Sequence, residues 1–214
     1  LKEPFCGVSH LTGAVLSVGA LAALMIAAAG RPWHVIGFGI FGMSLILLYL
    51  ASGLYHTLRV PPAEETRLQR LDHAAIFLLI AGTYAPVCLV SLHGIWGWSL
   101  LAVEYALCIA GVVGSVKRRP ISDWTRIILY LVMAYVALVA LGPLHAALTG
   151  AGLAWLLAGG AVYTVGTVIF GLDKPHLWPG RFSAHDLWHV FVLAGSACHF
   201  VMMLRFVAPD AVGG

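Results

Sequence analysis

The chain has 214 residues, 61% of them hydrophobic and only 10% charged, with a mean hydropathy of +0.94. A water-facing globule carries about 25% charged residues, so 12 Lys+Arg and 9 Asp+Glu are too few to coat one, and a polytopic membrane protein is expected. The formal net charge of +3 gives no footing for a nucleic-acid partner, which leaves membrane lipids as the expected surroundings.

A helix needs about 20 apolar residues to cross a hydrocarbon core of ~30 Å. Seven stretches qualify, roughly 11–30, 34–57, 73–92, 95–116, 125–143, 152–171 and 185–207. The breaks are short and rich in turn formers: Gly30-Arg-Pro32, Val60-Pro-Pro62, Ser91-Leu-His-Gly94, Arg119-Pro120, Gly142-Pro143, Lys174-Pro175 and Pro179-Gly180. The expected fold class is therefore an all-α membrane protein, a seven-transmembrane helix bundle forming a single domain over 1–214. The first stretch reads as a retained span, since only Lys2 provides a basic residue before it and Ala27-Ala-Ala-Gly30 is a loose cleavage site.

Several features mark the elements in order. Pro62–Arg70 (PAEETRLQR), the most charged part of the chain, is expected as a solvated loop or a short interfacial helix. Pro86, at the end of Ala81-Gly-Thr-Tyr-Ala-Pro86, should kink the third span. Glu104, in the middle of the fourth, is a functional candidate by the cost of placing a carboxyl in lipid, with a structural hydrogen bond as the equal alternative. Trp33, Trp96, Trp98, Trp124 and Trp178 fall at span ends, where tryptophan anchors the interface. Cys6, Cys88, Cys108 and Cys198 form no CxxC and are expected as free, buried thiols.

Basic residues set the expected orientation. With the N-terminus inside, the cytoplasmic side holds Lys2; Arg59, Arg67 and Arg70; Lys117, Arg118, Arg119 and Arg126; and Lys174 and Arg181, leaving only Arg31 and Arg205 outside. The C-terminus is then outside.

With that orientation the polar residues converge in depth. His185 and His189 stand four residues apart, one helical turn, on the same face of the seventh span. His56 ends the second span and Asp72 begins the third, both at the inner side. Three segments far apart in sequence thus bring three imidazoles and a carboxylate to one depth, and ionisable groups within membranes usually face the bundle interior and one another. Imidazole donors with no thiolate in reach suit Zn²⁺, and three nitrogens leave a fourth position open, as in catalytic sites. Asp72 would bind the ion directly or through its water, the second mode making it a general base. Ser52, one turn before His56, shares its face and would hold that water or donate to a carbonyl oxygen.

Weaker candidates surround this set. His73 points about 100° away from Asp72. Asp186, rotated off the histidine face, is expected to cap the seventh helix. His199 returns to the metal-facing stripe about 20 Å farther along the axis, too far to be a ligand but placed to line a polar cavity with Thr83 and Tyr84. His10, His34, His93, His145 and His176 fall at ends or loops and need no role.

Ser52-Gly-Leu-Tyr-His56, Leu71-Asp72-His73 with Ala81-Gly-Thr-Tyr84, and His185-Asp-Leu-Trp-His189 with Ala194-Gly195 and His199-Phe200 resemble the hemolysin III family. That family is the bacterial branch of the progestin and adipoQ receptors, which include the adiponectin receptors, and is related to the alkaline ceramidases. The similarity runs over essentially the whole chain. It implies a seven-helix bundle with zinc near the cytoplasmic face, bound by His56, His185 and His189, with Asp72 holding the zinc-bound water and Ser52 supporting it. Nothing in the sequence looks like a pore-forming toxin.

The favoured function is a zinc-dependent intramembrane hydrolase of a lipid amide or ester, with Ser52 or Tyr84 donating to the oxyanion. A non-enzymatic, receptor-like regulator of membrane state with structural zinc is the alternative. An ion or proton pathway through Asp72, His73, His199 and Glu104 is the third.

Overall fold

The computed structural model describes residues 1–117, 119–175, 177–178 and 182–209. Among these it has seven helices long and apolar enough to span a membrane: Pro4–Ala27, Pro32–Thr57, Pro62–Leu92, Gly94–Val116, Asp123–Ala147, Gly150–Leu172 and Ala184–Val207, here the first to seventh spans. The Pro179-Gly180 break and His176 lie outside the described residues.

Three boundaries differ from the sequence expectation, each for a local reason. The first span begins at Pro4, not near residue 11. Proline suits the first helical position, where its missing N–H has no partner to lose. The polar residues that follow lower the hydropathy there without breaking the helix. The charged stretch after Val60 is neither a loop nor a separate helix: Pro62 starts a helix that runs unbroken into the third span. Glu64 and Glu65 sit in its first turn, where carboxylates complement the helix dipole. Gly142-Pro143 does not end the fifth span, because a 3₁₀ turn at Ala137–Ala140 precedes it and Leu141–Ala147 continues as α-helix.

Pro86 acts as expected of a residue that cannot donate its backbone N–H. The α-helix of the third span ends there and continues as a π-helical turn over Val87–Leu92. The five end-tryptophans are all exposed.

The first span packs mainly on the second, the second on the third, the third on the fourth, and the sixth on the seventh. The fifth span has only slight contact with the sixth, bridged by Tyr135 Oη and Thr164 Oγ1 at 2.9 Å. One close approach positions the site. A Cβ on Gly7 would collide with Thr57 Oγ1, so glycine lets the first span lie directly against the end of the second. The Glu3 N–H donates to His56 O at 2.8 Å at the same junction. Lys2 pairs with Glu65 at 2.8 Å, fastening the N-terminal residues to the third span.

Candidate metal centre

The seventh span opens with a capping box. Ser183 Oγ accepts the Asp186 N–H at 3.1 Å, and Asp186 Oδ2 accepts the Ser183 N–H at 2.7 Å. Two backbone donors that the helix leaves unpaired are thereby satisfied. The cap fixes the turn that carries His185, and His189 follows one turn later. Asp186 caps this helix as its position in the sequence suggests.

His185 and His189 are stacked, ring centroids 5.0 Å apart at 25°, with their Nε2 atoms 3.1 Å apart. His56, buried at the end of the second span, lies across both, its centroid 5.1 Å from His185 and 4.7 Å from His189. Two nitrogens bound to one tetrahedral zinc at ~2.05 Å are about 3.3 Å apart. The 3.1 Å separation therefore matches the edge of such a shell. The Glu3 carboxylate hydrogen-bonds His56 Nδ1, which leaves His56 Nε2 for an ion. A carboxylate behind a ligating imidazole is the usual way of fixing ring orientation.

A fourth donor joins them. The Cys6 sulfur and one ligand atom from each of His56, His185 and His189 all lie within 4.8 Å of one another. This corrects the expectation that no thiolate is in reach. Because the helix starts at Pro4, Cys6 belongs to the first turn of a span packed on His56. Its thiol donates to Asp186 Oδ1 at 3.2 Å. All four cysteines are free, as expected.

Asp72 is buried beside this group but does not join it. Ser52, also buried, stands close enough to interact with the Asp72 carboxyl. His10 is the clearest residue missed. Expected near an end without a role, it is 2% exposed, with its ring centroid 3.9 Å from that of His189. Cys6 and His10 are themselves four residues apart, the same helical signal that marked His185 and His189. His34, another residue placed at an end, is also buried, with Nε2 3.1 Å from an Arg31 nitrogen. His93 and His145 are exposed.

The histidines sit at one end of a cavity of about 580 Å³, within the usual range for small-molecule sites. Ser52, His56, Asp72, His73, His185 and His189 line one part of it. Leu144, Leu153 and His199 line another, and most of the wall is apolar. His185 and His199 both face it, so it extends about 20 Å along the seventh span. Gly159 makes room for the His199 ring, whose Nε2 would lie 2.6 Å from an added Cβ. Thr83 lines the wall while donating back to Leu79 O at 2.8 Å. Tyr84 also lines it, but its hydroxyl donates to Met133 O at 2.7 Å and accepts the Ala137 N–H at 3.0 Å. Its hydroxyl is thus engaged with the backbone of the fifth span. Arg126, buried and paired with Asp123, adds a cation at the Asp72 end.

Comparison with known proteins places the chain in a family. The haemolysin-III-related family model matches residues 1–200. The chain belongs to the haemolysin III family. It is 42% identical over 208 residues to hemolysin-3 of Bacillus cereus, covering 95% of this chain and 91% of that protein. It is 38% identical over 209 residues to the hemolysin-3 homolog of Bacillus subtilis (strain 168), covering 96% and 95%. A more distant relative is the adiponectin receptor protein of Drosophila melanogaster, 26% identical over 212 residues, covering 90% of this chain and 48% of the receptor. The haemolysin III proteins thus stand within the wider progestin and adipoQ receptor group, and this member is an integral membrane protein.

Proposed function

We propose that this haemolysin III protein is a zinc-dependent intramembrane hydrolase of a lipid amide or ester, with His56, His185 and His189 as the metal's ligands. The observation that carries the reading is the junction of two features. Three imidazoles converge with a 3.1 Å Nε2–Nε2 edge, and they do so at the end of a long cavity with an apolar wall. Zinc, when bound, supplies Lewis acidity that polarises a carbonyl and makes water a better proton donor. The protein's own groups do the rest. Asp72, buried and outside the ligand group, accepts the proton of the attacking water. The Ser52 hydroxyl donates to the carbonyl oxygen as charge develops on it. The apolar wall holds the lipid chain.

The proposed orientation puts the N-terminus and the histidine end of the bundle at the cytoplasmic face of a bacterial inner membrane. Lys2, Arg59, Arg67, Arg70, Lys117, Arg119, Arg126 and Lys174 support it by clustering at that end, with Arg31 and Arg205 at the other. Arg118 and Arg181, counted with the first group from the sequence, lie outside the described residues.

The test is fatty-acid release from ceramide-like and phospholipid substrates by purified protein, with and without chelator. Release that depends on metal and is lost in Asp72→Asn, with zinc content unchanged, is the expected result. Stoichiometric zinc with no release from either substrate class would refute the hydrolase. It would favour a non-enzymatic regulator with structural zinc, a reading that draws support from the fourth donor, Cys6, since four protein ligands make a closed shell.

A further inference from the structure

We propose that Cys6 is a fourth protein ligand, so that the resting metal centre is a Cys-His₃ shell closed by the first span. The inference rests on the metal-binding reading of the three histidines and goes beyond it.

Geometry is the first support. The sulfur and the three imidazole donors are mutually within 4.8 Å. A tetrahedral shell with Zn–N of ~2.05 Å and Zn–S of ~2.3 Å has nitrogen–sulfur edges of about 3.6 Å, so small side-chain rotations bring all four onto one ion.

Backbone placement is the second. The turn bearing Cys6 is held against His56 by contacts that do not involve the thiol. These are the Glu3 N–H to His56 O bond at 2.8 Å, the Glu3 carboxylate on His56 Nδ1, and the close approach at Gly7. Cys6 is therefore presented to the histidines by structure that would exist without it.

The surroundings are the third. A buried thiol usually behaves as a small apolar side chain among apolar neighbours. Cys6 is 2% exposed, yet it faces imidazole nitrogens and the Asp186 carboxylate. Coordination replaces the thiol proton by the metal, and that proton passes to solvent. Four protein donors leave no position for water. Under the hydrolase reading, turnover then requires the thiolate to give up its place, whereas a regulator with structural zinc would keep it.

Cobalt(II)-loaded protein gives the decisive spectrum. Visible ligand-field absorption reports that the ion is bound. A near-ultraviolet sulfur-to-cobalt charge-transfer band reports that a thiolate holds it. The expected result is both bands in the wild type and in the Cys88→Ala/Cys108→Ala/Cys198→Ala protein. Cys6→Ser should lose the charge-transfer band while retaining one cobalt per chain. Cobalt bound without the band in the wild type, or a band that survives Cys6→Ser, would overturn the proposal and leave the three-histidine site standing. Failure of the wild type to bind cobalt or zinc would overturn both. Should Cys6→Ser not fold, zinc-edge X-ray absorption of the triple-alanine protein decides the matter. One sulfur at about 2.3 Å supports the fourth ligand, and a shell of nitrogen and oxygen alone refutes it.

Discussion

Glu3 illustrates how a side chain outside the proposed ligand set can govern one within it. Its carboxylate is 45% exposed, yet it bonds the Nδ1 of a fully enclosed imidazole. With that proton held, His56 has one nitrogen left for a metal and one ring orientation. Glu3→Gln keeps the size but removes the charge. The expected outcome is a metal affinity lowered about 10–100-fold, the usual cost of losing such a partner, read by competition with a chromophoric chelator. At this scale the sequence was legible where two signals coincided. His56, Asp72, His185 and His189 share a depth, and the last two share a helical face. Glu3, Cys6 and His10 were hidden because hydropathy places the start of the first span near residue 11. Pro4 carried the contrary signal, which spacing from Cys6 to His10 reinforces.

Among the elements, local chemistry was readable wherever a residue type has only one good use. Asp186 caps the seventh helix as its position suggests, with Ser183 as a partner not foreseen, and Pro86 ends an α-helix. The extension of the third span down to Pro62 was less legible, since charge by itself does not distinguish a solvated loop from a helix projecting beyond the membrane. Glu104 in the fourth span is instructive for a different reason. It is 0% exposed, and neither carboxylate oxygen has a hydrogen-bond partner among the described residues. The structural hydrogen bond offered for it is therefore absent there. A buried, unsatisfied polar group costs about 1–3 kcal/mol. Glu104→Leu, of similar volume, is expected to leave the thermal midpoint unchanged or raise it, with metal content unaltered. A lower midpoint in a thermal-shift measurement would show that the carboxyl has a partner in the folded protein.

For the molecule as a whole, seven crossings follow from composition alone, because a bilayer demands apolar stretches of fixed length. The adjacency of the spans does not follow, since lipid and protein interior reward the same residues. The slight contact between the fifth and sixth spans, and the cavity alongside them, were accordingly invisible until the helices were packed. Chelation should expose how much of that packing a bound metal sustains. A ligand at 100 times its dissociation constant stabilises the folded state by about 2.7 kcal/mol. Chelation is thus expected to lower the thermal midpoint of the wild type and to have little effect once His185 and His189 are both replaced by alanine.

The proposed donors, Cys6, His56, His185 and His189, span nearly the entire polypeptide. During synthesis the early histidine must wait in the bilayer until the final crossing has been made. On the proposed reading, metal capture is the last act of assembly, a clasp on a ring whose closure is otherwise entropically unfavourable. Cells starved of the ion would accumulate chains fully inserted but never fastened.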